Sequence, residues 1–143
     1  MLQLKGSQTM EFVRHAWYVA GWSKEFSRSI KRITIMSENI AMYRTKAGKL
    51  VALQDRCPHK SLPLSMGRLI EDNIQCGYHG MTFNTAGHCV RIPGQDSIPK
   101  SAVVKSFAVH EQNDIVWIWM GPIHEADSKK IFHLKQFDDP AWN

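Results

Sequence analysis

Cys57-Pro58-His59-Lys60 and Cys76-Gly77-Tyr78-His79-Gly80 are the two runs on which the reading of this chain turns. They form C-x-H and C-x-x-H, with sixteen residues between His59 and Cys76, and each offers one thiol and one imidazole. Four such groups can close a tetrahedral zinc site. They can also hold a [2Fe–2S] cluster in which two histidines replace two cysteines on one iron. In an extended segment Cys57 and His59 would share one side, while Pro58 points away and withdraws a backbone donor. Cys76 and His79 are three apart, a spacing that suits a tight turn eased by Gly77. Structural zinc sites usually place about two to four residues between the ligands of the first arm. A single intervening residue makes chelation of one ion awkward and suits two metals, with Cys57 and Cys76 on one iron and His59 and His79 on the other. A Cys57–Cys76 disulfide would require an oxidising compartment.

Composition sets the frame. At 143 residues the chain is expected to form one domain with a core large enough to fold alone. Three cysteines leave Cys89 over, which argues against a disulfide framework. No apolar run approaches the roughly 20 residues of a membrane span, and MLQLKGSQTMEF carries no secretory h-region. The expectation is therefore a cytoplasmic protein without a membrane partner. The net charge of +5 favours acidic partners. Its lysines and arginines are scattered without a basic stripe, so no nucleic-acid partner is expected.

The local pattern is all-β. Residues 32–36 (RITIM), 40–44 (IAMYR) and 50–54 (LVALQ) are short and apolar or β-branched, with turn residues between them. Ile74-Gln75-Cys76 leads into the second ligand run. Met81 to Asn84 and His88 to Ile92 flank Thr85-Ala86-Gly87, and Val103 to Val109 and Ile115 to Met120 make a last hairpin around Gln112-Asn113-Asp114. Trp22 to Phe26 could form one helical turn. Many short strands with regular turns predict a small antiparallel sandwich or barrel.

On these residues the chain resembles the N-terminal Rieske domain of a Rieske non-haem iron oxygenase, of the vanillate demethylase-like O-demethylase and methyl-monooxygenase type. The segments that carry the likeness are Ala16 to Ala20, CPHKSLPLSMG from Cys57, QCGYHGMTFN from Gln75, VRIPGQ from Val90, and Val116 to Gly121. They span roughly residues 10–125. The resemblance implies a Rieske fold with a cluster-binding subdomain and one [2Fe–2S] cluster held by Cys57, His59, Cys76 and His79. It divides the chain into a disordered extension (1–9, with Met10 an alternative start), a Rieske domain (10–122) and a linker (123–143) toward a catalytic domain. That domain would hold a mononuclear iron on two histidines and a carboxylate. His15, His88, His110, His124 and His133 form no such motif here.

Around the ligands the resemblance points to Lys60, Tyr78, Gly80, Met81 and Pro93. Lys60-Ser61 stands where the family commonly has Arg-Gly, which keeps the charge but loses the planar fork. Tyr78 is expected over the cluster, hydrogen-bonded near it, or simply packed, and Pro93-Gly94 in a third loop that covers it. Met81 and Phe83 occupy positions where high-potential members carry a serine and a tyrosine. Ser61 and Gly77 stand where such members carry a disulfide. The implied role is electron transfer within an oxygenase acting on aromatic or related small molecules. A reductase or ferredoxin would be the donor, and an iron in a neighbouring subunit of a trimer the acceptor. The alternative is a free-standing Rieske-type ferredoxin. By itself this stretch would turn over no substrate.

Overall fold

The structure, a computed structural model, describes residues 11–142. The expected disordered extension 1–9 and Met10 lie outside the described residues. Ten strands and no α-helix occur among the described residues. They are β1 (Ala16–Trp22), β2 (Lys31–Ile35), β3 (Glu38–Arg44), β4 (Leu50–Gln54), β5 (Arg68–Ile70), β6 (Asn73–Gln75), β7 (Thr82–Phe83), β8 (Cys89–Arg91), β9 (Val109–Gln112) and β10 (Ile115–Met120). They pair antiparallel in three sheets ordered β1-β10-β9, β2-β3-β4 and β5-β6-β7-β8.

The middle sheet supplies both cores, and its sequence says why. In β3, Ile40, Ala41, Met42 and Tyr43 are all fully buried. Successive side chains of a strand point to opposite faces, so a continuous apolar run needs a partner on each face. Ile40 and Met42 join Leu50, Ala52, Val116, Ile118 and Met120 in one cluster against the β1-β10-β9 sheet. Ala41 and Tyr43 join Val51, Leu53, Leu64, Ile74 and Phe83 in the other. That second cluster also takes in Cys57, Cys76 and Met81, so the ligand runs sit on its rim.

Turn chemistry fixes the registers. Met36 and Ser37 join β2 to β3, and Asn113 and Asp114 join β9 to β10, all four in the left-handed region. Two-residue loops of that hand match the twist of a hairpin. The turn before β3 thus falls earlier than Ser37-Glu38-Asn39. The expected strand 103–109 is reduced to isolated bridges at Val103 and Ser106 before β9 begins. Ser23–Glu25 forms the expected short turn, as a 3-10 helix.

Two polar ties lock the sheets together. Tyr43 donates its hydroxyl to the Asp72 carbonyl at 2.8 Å, and burial, with the Asp72 charge adding to it, pushes that phenol up to about 12. Arg44 bridges to Glu111 of β9 through two bonds of 2.7 and 2.9 Å, and it also caps the carbonyls of Phe26, Gly48 and Ser23. Arg44 holds the Glu111 carboxyl below its usual range. A depressed folded value adds stability above the unfolded value, and that stability is lost as pH falls through the folded one. Glu111→Gln should therefore cost about 1 kcal/mol at pH 7, with the difference shrinking as pH falls below the ordinary carboxylate range. Urea unfolding at neutral and at acid pH reads it.

Beyond β10 the chain continues in short 3-10 turns. Trp17 donates its indole N–H to the Asp127 carbonyl at 2.9 Å, and Ile131 is buried. Phe132 and Trp142 are exposed.

Candidate cluster site

Both ligand runs are built on one hydrogen-bonding plan. The Cys57 N–H donates to the Leu62 carbonyl, five residues on, and the Ser61 N–H returns to the Cys57 carbonyl, both at 2.8 Å. The Cys76 N–H donates to the Met81 carbonyl at 2.8 Å, again five residues on, and the Gly80 N–H returns to the Cys76 carbonyl at 3.2 Å. In each loop the residue four after the cysteine is left-handed, Ser61 at φ 58° and Gly80 at φ 77°. Residues 57–59 are therefore part of a turn, not an extended arm. Closing the loop within five residues satisfies the cysteine's own N–H and C=O and leaves no room for extension.

The two left-handed positions differ in their tolerance. A non-glycine residue there costs roughly 1–2 kcal/mol, so Ser61 carries strain that glycine would relieve. At Gly80 a Cβ would also meet Pro93 at 3.1 Å. Ser61→Gly should leave the melting temperature unchanged or raised. Gly80→Ala should lower it by several degrees, since about 1–2 kcal/mol is worth that much in a domain of this size. Equal effects would contradict the shared plan.

The side chains gather as two like pairs. Cys57 and Cys76 are 2% and 4% exposed. Burial pushes the Cys57 thiol up and the Cys76 sulfur beside it adds to that, while the backbone N–H groups of His59 and Lys60 oppose it. His59 and His79 are exposed, with ring centroids 5.1 Å apart. Among the described residues no three His, Cys, Asp or Glu side chains gather as a single metal ion requires. Paired buried thiols and paired outer imidazoles fit a group that spans from core to surface. That is the donor set of a two-iron cluster with sulfur on one iron and nitrogen on the other.

The surrounding residues fall into place beside them. Tyr78 stacks on His79, with centroids 3.9 Å apart and planes 18° from parallel. Lys60 exposes its side chain, and its backbone N–H favours the Cys57 thiolate. The Met81 sulfur lies 4.0 Å from that of Cys57. Pro93 lines a cleft of about 610 Å³ with Pro58, His59, His79, Met81 and Gln95. Two groups were not singled out from the sequence. Gln75 accepts from Arg68 at 2.9 Å and faces Gly80 and Thr82 at 3.4 Å, bracing the turn behind His79. Asp55, two residues before Cys57, is buried and bonded to Ser65. An acidic residue closing an apolar strand was its only signal.

Residues 16–108 match the family described as the Rieske [2Fe-2S] domain. The chain belongs to that family, and a Rieske-type [2Fe–2S] cluster is its cofactor. Among relatives, it is 42% identical to the iron-sulfur subunit of the toluene-4-sulfonate monooxygenase system of Comamonas testosteroni, over 92% of this chain and 38% of that protein. It is also 42% identical to the oxygenase component of dicamba O-demethylase from Stenotrophomonas maltophilia, over 93% of this chain and 40% of that one. The crystal structure of apo dicamba monooxygenase superposes with a TM-score of 0.85 at 41% identity, covering 91% of this chain and 41% of that one. The chain thus spans about two fifths of the length of these relatives. Several of its relatives are oxygenase subunits or components, and its all-β architecture is that of the Rieske fold. No helix among the described residues is long and apolar enough to cross a membrane.

Proposed function

We propose that Cys57, His59, Cys76 and His79 hold the cluster and that this stretch is the electron-receiving domain of an oxygenase. The observation that carries the reading is the pairing of two buried thiols with two exposed imidazoles 5.1 Å apart. When bound, the cluster supplies one-electron transfer. The protein's part is to place that chemistry at its edge. Cys57 and Cys76 fix the inner side within the apolar core. His59 and His79 bring the outer side to the surface, where a partner can approach. The Pro93 segment and Met81 line the cleft beside them with apolar groups and limit water.

The electron donor in this proposal is a reductase or ferredoxin. The acceptor is a mononuclear iron in a catalytic domain, in a neighbouring subunit of a trimer, that oxidises an aromatic or related small molecule. The names of the relatives, a sulfonate monooxygenase and a dicamba O-demethylase, support that class of substrate. A reducing, cytoplasmic setting suits the three free cysteines. The reading frame beyond codon 143 tests the proposal. A continuation carrying two histidines and a carboxylate at metal-binding spacing is expected. A stop codon at that point in the native gene would favour the free-standing ferredoxin.

Charge at the edge gives a further expectation. Among the described residues Arg56, Lys60 and Arg91 have no carboxylate within salt-bridge distance. Glu71 and Asp72 are already paired with Lys46 and Arg28. Lys60→Glu should slow reduction by an acidic ferredoxin roughly three- to tenfold at low ionic strength and flatten its salt dependence. Stopped-flow kinetics at two salt concentrations reads it, and unchanged rates would make Lys60 a bystander.

A further inference from the structure

We infer that Asp55 is a positioning residue, a latch that closes the first ligand loop and holds Cys57 and His59 in place. This rests on the proposed ligand assignment. Asp55 is the only charged residue in the core among the described residues, and its side chain has no exposed surface. A sealed carboxylate is costly unless its oxygens are matched by donors. Here they are. One oxygen accepts the Ser65 N–H at 2.6 Å, the other accepts the Ser65 hydroxyl at 2.6 Å, and the Arg32 Nε of β2 lies 3.3 Å from the second oxygen.

The placement gives the carboxylate its role. Asp55 directly follows β4, two residues before Cys57, and Ser65 lies where the loop returns to the core beside fully buried Leu64. Both oxygens grip one residue, so the loop is closed in a single orientation. The Asp55 N–H donates to the Asn39 carbonyl at 2.9 Å, which ties the near end to β3. The loop's own backbone bonds link Cys57 to Ser61 and Leu62. They shape the turn but do not fasten it to the sheets; the Asp55–Ser65 pair does. An amide at position 55 keeps the shape, but its NH2 would face the Arg32 guanidinium. Ser65→Ala loses one of the two bonds, and Ser65→Thr keeps both.

The test uses the full chain in two states. In the holoprotein, transfer of iron to an excess of a ferrous chelator should run roughly ten- to hundredfold faster in Asp55→Asn, the factor expected when bonds to a charged acceptor are lost. It should run several-fold faster in Ser65→Ala and at the unmutated rate in Ser65→Thr. Ile118→Val, in the other core, lowers global stability and should leave the release rate unchanged. In the cluster-free chain, amide hydrogen exchange should rise across residues 57–62 in Asp55→Asn and Ser65→Ala, with β9 and β10 unaffected. Release from Asp55→Asn at the unmutated rate would overturn the latch. So would acceleration in Ile118→Val equal to that in Asp55→Asn, or exchange that rises evenly over the whole chain. Iron and sulfide content of the unmutated protein, measured first, tests the ligand assignment separately, and the exchange data judge the latch whatever that content proves to be.

Discussion

Replacing Gly67 with alanine should strip the protein of its cluster and lower its stability by about 3 kcal/mol or more, the upper end of overpacking costs. A Cβ at this position would stand 1.9 Å from the Gln75 carbonyl oxygen and 3.1 Å from that of Leu64. Both neighbours are backbone, so no side chain can swing aside. Gly67 caps the 3-10 turn Leu64–Met66 at the end of the first ligand loop, and Gln75 is the residue before Cys76. Either the first loop, which carries Cys57 and His59, or β6, which leads directly into Cys76, must move. Gly48→Ala is the control: its Cβ meets nothing within 4 Å and only the left-handed backbone resists it, at roughly 1–2 kcal/mol. Iron content and thermal melting of the two variants decide the matter. A Gly67→Ala protein with full cluster and an unmutated melting temperature would mean that the two loops are not packed as described.

How much of this was legible in the sequence depends on the range of the interaction concerned. The strands 32–36, 40–44 and 50–54 could be read because their apolar runs are local, and each emerged within a residue or two. The all-β class followed from the same pattern. β5 escaped because Arg68-Leu69-Ile70 is three residues long and held only by pairing with β6. β1 was noticed for its likeness and not as a strand; its pairing with β10, nearly a hundred residues away, is what makes it one. The reverse error at 103–109 has the same origin, since a β-branched run without a continuous partner makes bridges and no ladder. At the site, the four candidate ligands stood out by residue type and spacing. The shared hydrogen-bonding plan did not, because left-handed Ser61 has no sequence signature comparable to Gly80. The Asp55 latch was hidden because its worth lies in contact with Ser65 and Arg32, ten and more residues away.

The second large effect concerns the reduction potential. Hydrogen bonds to the sulfurs stabilise the more negative reduced cluster, so their absence lowers the potential. The backbone N–H groups of His59 and Lys60 favour the Cys57 thiolate, but among the described residues no side-chain hydroxyl bonds that sulfur. The Met81 thioether, 4.0 Å from that sulfur, has no proton to give. Phe83, fully buried, has none either. The midpoint should therefore lie near the low end of the Rieske range, at about −150 mV. A value above about +100 mV, in the upper part of that range, would mean that donors reach the sulfurs from elsewhere. Met81→Ser places a hydroxyl in the same buried spot and should raise the midpoint. A low potential also suits the proposed role, since the electron must be passed on to an iron that activates oxygen.

The central claim is that Cys57, His59, Cys76 and His79 together hold a Rieske [2Fe–2S] cluster. Metal and acid-labile sulfide analysis of the full chain, purified without oxygen, tests it most directly when done beside the variants Cys76→Ser and His79→Ala. The account predicts a red-brown protein with two irons and two sulfides per chain, and loss of both from each variant. A colourless protein holding a single zinc ion, or full iron and sulfide in either variant, would contradict it.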